Sequence, residues 1–166
     1  MRLYLMVLAI FGPGDPVPSY LIRTDNGLNV LIDTGFSPEM IAASQQPGTT
    51  SQHIRDAIPI TDHLATLGLV PEDIHYLIAT HFDPDHAGAH DLFTHAEIVV
   101  QRSQYLAAKE GTDGRYVMNQ SHWDAPGLRY RFVDGDTELL PGITLIETSG
   151  HVPGHQSVLV RLNEMG

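Results

Sequence analysis

The sequence contains no cysteine. That excludes disulfide frameworks, thiolate zinc fingers, iron–sulfur clusters and cysteine nucleophiles, and it fits a cytoplasmic location. Basic residues are scarce. Nine Lys and Arg stand against twenty Asp and Glu, a formal charge of −11. A chain this acidic lacks the electrostatic footprint that would hold nucleic acid or an anionic membrane surface. No apolar run approaches the roughly 20 residues needed to span a bilayer. Leu3 to Phe11, behind Arg2, imitates a short secretory leader, but Gly12-Pro13-Gly14 follows in place of a small-x-small cleavage site. We read the run as a buried first strand.

What is present is enough for one domain spanning residues 1–166. The chain is 42% hydrophobic and 17% charged, which allows a sizeable core. It carries ten histidines, the source of nitrogen ligands if a metal is bound.

The clearest local signal is a hairpin: Ser19 to Arg23, the turn Asp25-Asn26-Gly27, and the returning run Leu28 to Asp33. Residues 36–61 are mixed and read as a loop with a turn or two of helix, an insertion that can overhang a site. A helix is expected over Ile60 to Leu67, ended by Gly68. The short buried strand His75 to Ala79 runs straight into Thr80-His81-Phe82-Asp83-Pro84-Asp85-His86. A strand at Ile98 to Gln101 and a helix over Ser103 to Glu110 come next, then a polar, irregular stretch from Gly111 to Gly127 that reads as a substrate-facing loop. Strands are expected at 128–133, 138–140, 143–147 and 156–162, the last ending with no sign of a domain boundary.

Three segments carry chemistry. The first is His81-Phe82-Asp83-Pro84-Asp85-His86, four potential ligands within six residues behind an apolar strand. Pro84 restricts Asp83 to an extended conformation, so a tight bend can aim all four side chains into one pocket. Two imidazoles and two carboxylates suit Zn, Fe or Mn, and exceed what one tetrahedral ion needs from one segment. The bland alternative, a polar loop with Asp85 capping a helix, explains one such residue better than four. The second is Thr148-Ser149-Gly150-His151-Val152-Pro153-Gly154-His155, which reads equally as a ligand-bearing turn or as a β-turn with surface histidines. The third, Leu31-Ile32-Asp33-Thr34-Gly35, is weak alone; Asp33 either bonds neighbouring amides or orients a metal-bound histidine. His53, His63, His75, His95 and His122 have no ligand spacing around them. His90, four residues after His86, is assigned to the surface, and Trp123 with Met118 and Tyr116 to core packing.

Taken together and in this order, the segments resemble the metallo-β-lactamase superfamily. The runs "LIDTG", "THFDPDHAGAHDLF", "IVVQRSQYLAA" and "PGITLIETSGHVPGHQSVLV" resemble its N-acyl homoserine lactonase branch, from about Tyr20 to Leu162. The resemblance implies an α+β fold, the αββα four-layer sandwich, cut off after the first strands of its second half. It implies two divalent metal ions, zinc first, with iron or manganese favoured somewhat by Asp83, which stands where most members have histidine. His81, Asp83 and His151 would hold one ion, Asp85 and His86 part of the other. Asp85 would also be catalytic, accepting a hydrogen bond from the bridging water. Asp33 and His155 would support from behind, with His155 turned away from the pocket. Fifteen residues follow His151, and none supplies the bridging Asp or final His that the family places later. The family's catalytic tyrosine is missing for the same reason. The implied activity is quorum-quenching hydrolysis of a neutral acyl lactone or related ester, weak in this chain without those groups. An uncovered sheet edge would favour self-association into homo-oligomers. The rival readings are a di-iron oxidoreductase, which lacks a flavin module here, and a non-catalytic remnant binding one metal at most.

Overall fold

Apolar residues occupy both faces of the strands near the middle of the chain, and the fold follows from the need to cover both. The computed structural model describes residues 1–48, 53–111 and 113–162. Seven strands, β1 (Arg2–Phe11), β2 (Asp15–Arg23), β3 (Asn29–Ile32), β4 (Ile54–Arg55), β5 (Tyr76–Ile78), β6 (Glu97–Gln101) and β7 (Arg129–Val133), form one sheet in the order β4-β1-β2-β3-β5-β6-β7. Its first half is antiparallel, β4 and β2 flanking β1 and β3 following β2; from β3 to β7 neighbours are parallel. A second, antiparallel sheet holds β8 (Thr137–Leu140), β9 (Ile143–Glu147) and β10 (Gln156–Val160) in the order β10-β9-β8.

Successive residues of a strand point to opposite faces, and the central strands use this fully. Leu31, Leu77, Ile98 and Val100 pack with Leu64 of α2 (Ile60–Thr66), Ala108 of α3 (Arg102–Glu110), Tyr116 of α4 (Gly114–Val117), Trp123 of α5 (Gln120–Trp123) and Phe82. Their neighbours Val30, Ile32, Ile78 and Val99 face Ile143 and Leu145 of the second sheet. The remaining helix, α1 (Pro38–Ser44), starts at Ser37, whose hydroxyl accepts from Met40 N at 3.2 Å, and contributes Ile41 to a third small core. Helices, large sheet and small sheet make three of the four expected layers. The outermost helical layer is not found among the described residues, and Leu159 on the outer face of β10 stays exposed. No helix among the described residues is long and apolar enough to cross a membrane.

The structure corrects several local expectations. Residues 36–61 contain the expected short helix, α1, and add the two-residue strand β4. β1 is buried on one face only: Met6 and Leu8 are in the core, whereas Leu3, Leu5 and Val7 are exposed, Leu5 at 62%. The stretch Gly111 to Gly127 is no open loop, because α4 and α5 put Tyr116 and Trp123 into the core; Phe82 stacks on Trp123 at 4.9 Å, and the indole N–H donates to Tyr116 O at 3.0 Å. Met118, the third residue of that group, is exposed. His90 is not on the surface. It is fully buried against the edge of Phe82, 5.9 Å between rings, and neither ring nitrogen meets a hydrogen-bond partner.

That burial holds the His90 imidazole down to about 4, with the charges of His122 and His86 adding to it against Asp33. As pH falls from about 6.5 toward 4, the unfolded chain takes up a proton that the folded one refuses, so stability falls. His90→Leu removes both the orphaned ring nitrogens and this penalty. We expect the variant to gain about 2 kcal/mol at pH 5 over its effect at pH 7, measured by urea unfolding at both values; a pH dependence equal to that of the unmodified chain would count against this account.

Candidate metal centre

The parallel strands β3, β5 and β6 all end on the same side of the sheet, and the chemistry-bearing loops leave from there. After β5 the chain bends through residues 80–86, where Asp83 O accepts from His86 N at 2.9 Å and Ala87 N at 3.0 Å. The bend docks tightly on the loop after β3. A Cβ on Gly88 would sit 2.3 Å from Ser37 N and 2.5 Å from Phe36 C, so only glycine fits. The second segment arrives from the small sheet as the β9–β10 turn. Gly154 there has φ +68°, and a Cβ on it would fall 2.3 Å from Gln104 N at the start of α3. Gln156 fastens the turn down: its backbone N–H donates to Thr80 O at 3.1 Å and its side-chain amide to Ala79 O at 2.8 Å and Val99 O at 3.2 Å.

These contacts bring His81, Asp83 and His151 together across 68 residues of sequence, with one donor atom from each within 4.8 Å of the others. Asp83 Oδ2 lies 3.0 Å from His151 Nε2 and 3.5 Å from His81 Nε2. Donors about 2.0–2.2 Å from a shared tetrahedral ion sit roughly 3.3 Å apart, so the spacing fits a divalent metal. Asp83 Oδ1 is buried with no hydrogen-bond partner, an orphan acceptor that a cation would satisfy. Burial works against the charge on Asp83, but His81, Arg115 and His151 around it hold its carboxyl below the usual range.

Beside this trio, the His86 ring lies 4.1 Å from that of His81, and His86 Nε2 is 3.4 Å from Asp85 Oδ2. Burial again opposes the charge on Asp85, while the hydrogen bond and charge of His86 keep its carboxyl low. The buried Asp33 carboxylate lies behind both histidines. It accepts from Thr80 N at 2.8 Å and Thr80 Oγ1 at 2.7 Å and contacts His86 Nδ1 at 2.8 Å; Thr80 Oγ1 in turn lies 2.9 Å from His81 Nδ1. One carboxylate therefore orients two imidazoles, one directly and one through a hydroxyl. Burial disfavours charge on each partner, yet Asp33 is held low and His86 is pushed up to about 10 by their mutual attraction.

His155 sits closer than expected. Its ring is 5.1 Å from His81, held by Thr148 Oγ1 at 2.9 Å from its Nδ1, and it does not turn away. His155, His86 and Asp33 line the end of a groove of about 520 Å³ whose other wall is apolar, with Leu3, Tyr20 and Val158. Of the histidines set aside, His75 Nδ1 accepts from Asn29 N at 3.1 Å, and His122 bridges Asp91 at 2.9 Å and Glu39 at 3.4 Å. Sequence reasoning gave no role to Thr80, Gln156 or Arg115. Thr80 lies inside the quoted motif, where its place before His81 was the available signal; nothing local marks Gln156 or Arg115.

Residues 12–166 match the model of the metallo-beta-lactamase superfamily. An N-acyl homoserine lactonase from a Bacillus species is 34% identical over 158 residues, 91% of this chain and 60% of that protein. The lactonase AttM from Rhizobium radiobacter is 34% identical over 163 residues, 89% of this chain and 60% of its own. The chain thus spans about 60% of the length of these curated relatives. A solved N-acyl homoserine lactone hydrolase, with the product N-hexanoyl-L-homoserine bound at its catalytic metal center, superposes with a TM-score of 0.79 at 30% identity, covering 99% of this chain and 72% of that one.

The Asp33–His86 pair makes a pH-dependent prediction for the metal-free protein. A histidine raised to about 10 stabilises the fold fully below about pH 6.5 and loses that contribution as pH climbs through 10. Asp33 has φ 58°, a conformation that asparagine also tolerates, so Asp33→Asn tests the charge without added backbone strain. It should cost on the order of 3 kcal/mol at pH 7 and clearly less at pH 10, by urea unfolding of chelator-treated protein. Equal losses at both pH values would show that the pair is not the source.

Proposed function

The chain belongs to the metallo-beta-lactamase superfamily, and on that premise we propose that it hydrolyses N-acyl homoserine lactones or closely related lactones. The observation that carries this reading is the convergence of His81, Asp83 and His151 around an unpartnered buried carboxylate oxygen. Its relatives at 33–35% identity are lactonases. In this reading His81, Asp83 and His151 hold one divalent ion, and Asp85 with His86 hold a second more weakly, zinc being the first choice and iron or manganese the alternatives that a carboxylate ligand favours. Ions held there supply a Lewis acid for the lactone carbonyl and a water of lowered pKa.

The chain's own residues do the rest. Asp33 keeps His86 and, through Thr80, His81 in fixed rotamers, so the ligands need no reorganisation on binding. Asp85, partly exposed beside His86, accepts a hydrogen bond from the attacking water and orients it. The apolar wall of the groove, with Leu3, Tyr20, Val158 and Val160, suits an acyl chain and excludes water from it. The formal charge of −11 favours a neutral lactone over an anionic substrate. A cysteine-free chain fits the cytoplasm, and the exposed Leu5 and Val7 of β1 are the surface through which copies would self-associate.

Purified protein loaded with Zn, Mn or Fe should open N-hexanoyl homoserine lactone, followed by proton release. The expected turnover is below the roughly 10 per second of an ordinary enzyme, because Asp85 and His86 alone hold the second ion weakly. Metal analysis should find one tightly held ion per chain. His151→Ala should remove that ion and lower turnover at least about 100-fold; ring opening that survives this change and a chelator would overturn the assignment. A second variant addresses the unusual ligand. Asp83→His should keep or tighten zinc binding in a chelator competition, whereas loss of zinc on that change would mean that Asp83 does not occupy a ligand position.

A further inference from the structure

A cation stands over the cluster. Arg115 lies in α4, a one-turn helix whose cap Asp113 accepts from Arg115 N at 3.1 Å, and its Nη1 reaches to 3.6 Å from Asp83 Oδ2. It is the one Lys or Arg among the described residues that is ion-paired with a carboxylate of the centre. Its other pairing, with Asp113, is 3.7 Å long. Neither contact is close enough for a hydrogen bond, so the guanidinium acts on Asp83 through charge. The centre needs that charge. Asp33, Asp83 and Asp85 crowd three carboxylates around His81, His86 and His151, in a chain with few cations. Asp33 and Asp85 both contact His86. Among the described residues the Asp83 carboxylate is paired with His81, His151 and Arg115, and Arg115 is the one guanidinium or ammonium of the three.

We propose that Arg115 is a positioning residue that balances the Asp83 carboxylate and thereby sets how tightly the His81–Asp83–His151 cluster takes a divalent cation. Two effects act in the same direction. The guanidinium draws on the same carboxylate oxygen that faces both histidines, and its positive charge repels a divalent ion held a few ångströms away. With its side chain about a third exposed, solvent screens both effects without abolishing them. The cluster with Arg115 is therefore a weaker cation site than the same three ligands without it. The inference rests on the metal reading of the cluster.

The test is zinc affinity of the full chain by competition with a chromophoric chelator, a readout independent of turnover. Arg115→Gln and Arg115→Met should each bind zinc about three- to tenfold more tightly than the unmodified chain. Arg115→Lys, which keeps the charge, should stay within about twofold. Because the guanidinium makes no hydrogen bond among the described residues, the neutral variants leave no buried partner orphaned, and thermal melts of the metal-free proteins verify their folding. If the unmodified chain takes up no zinc, the metal reading fails and the proposal with it. If it does and both neutral variants match it, or if Lys behaves like Gln, the role of Arg115 alone is overturned.

Discussion

Everything at the centre depends on a single buried carboxylate. Asp33 ends β3 in a left-handed backbone conformation, φ 58°, that a non-glycine residue adopts only when its surroundings compel it. The compulsion is visible. Its backbone N–H donates to Ile78 O at 3.0 Å, and Ser19 Oγ donates to both Ile32 O and Asp33 O, at 2.9 and 3.0 Å. Held this way, the carboxylate meets Thr80 and His86 and draws the loops after β3 and β5 into one unit. Thr34 continues the seam, its N–H donating to His86 O at 2.8 Å. A strained turn of this kind costs on the order of 1–3 kcal/mol, which the three contacts of the carboxylate offset.

The sheet explains why the seam lies where it does. Parallel pairing of β3, β5 and β6 sends all three chain exits to one edge, and burial on both faces leaves the loops no freedom to slide. Between the two sheets the coupling is polar as well as apolar. Gln101 and Gln156, both buried, bond to each other at 3.2 Å; Gln156 reaches Ala79 just after β5 and Val99 in the middle of β6, while Gln101 holds Gly135 at the entry to β8. Amides buried so deeply would be costly without partners, and satisfied they permit one register only. That register presents His151 to Asp83.

The arrangement also separates two kinds of histidine. His81, His86, His151 and His155 gather where carboxylates and hydroxyls can answer their ring nitrogens. His90 lies one turn further along the chain, in the apolar core beside Phe82 and Trp123, and is kept neutral there by burial. The difference is one of dielectric surroundings and partners, because the residue type is the same and the two sites lie only a few residues apart.

By itself the sequence determined the local elements and the chemistry of each segment. The hairpin, the strand that runs into His81, the ligand types and the Gly-rich turn at His151 are all set by short-range pattern, turn residues and donor identity. Local pattern could not determine which segments meet, and only the resemblance of the whole motif set to a known family placed His81 and His151 at one site. His81 and His151 share a site only because Gln156, Gly154 and the inter-sheet core bring the turn onto the end of β5. The burial of His90, the docking of Trp123 and the reach of Arg115 to Asp83 likewise depend on packing between elements distant in sequence. Such contacts leave no local periodicity, since the free energy that makes them comes from removing both partners from water at once.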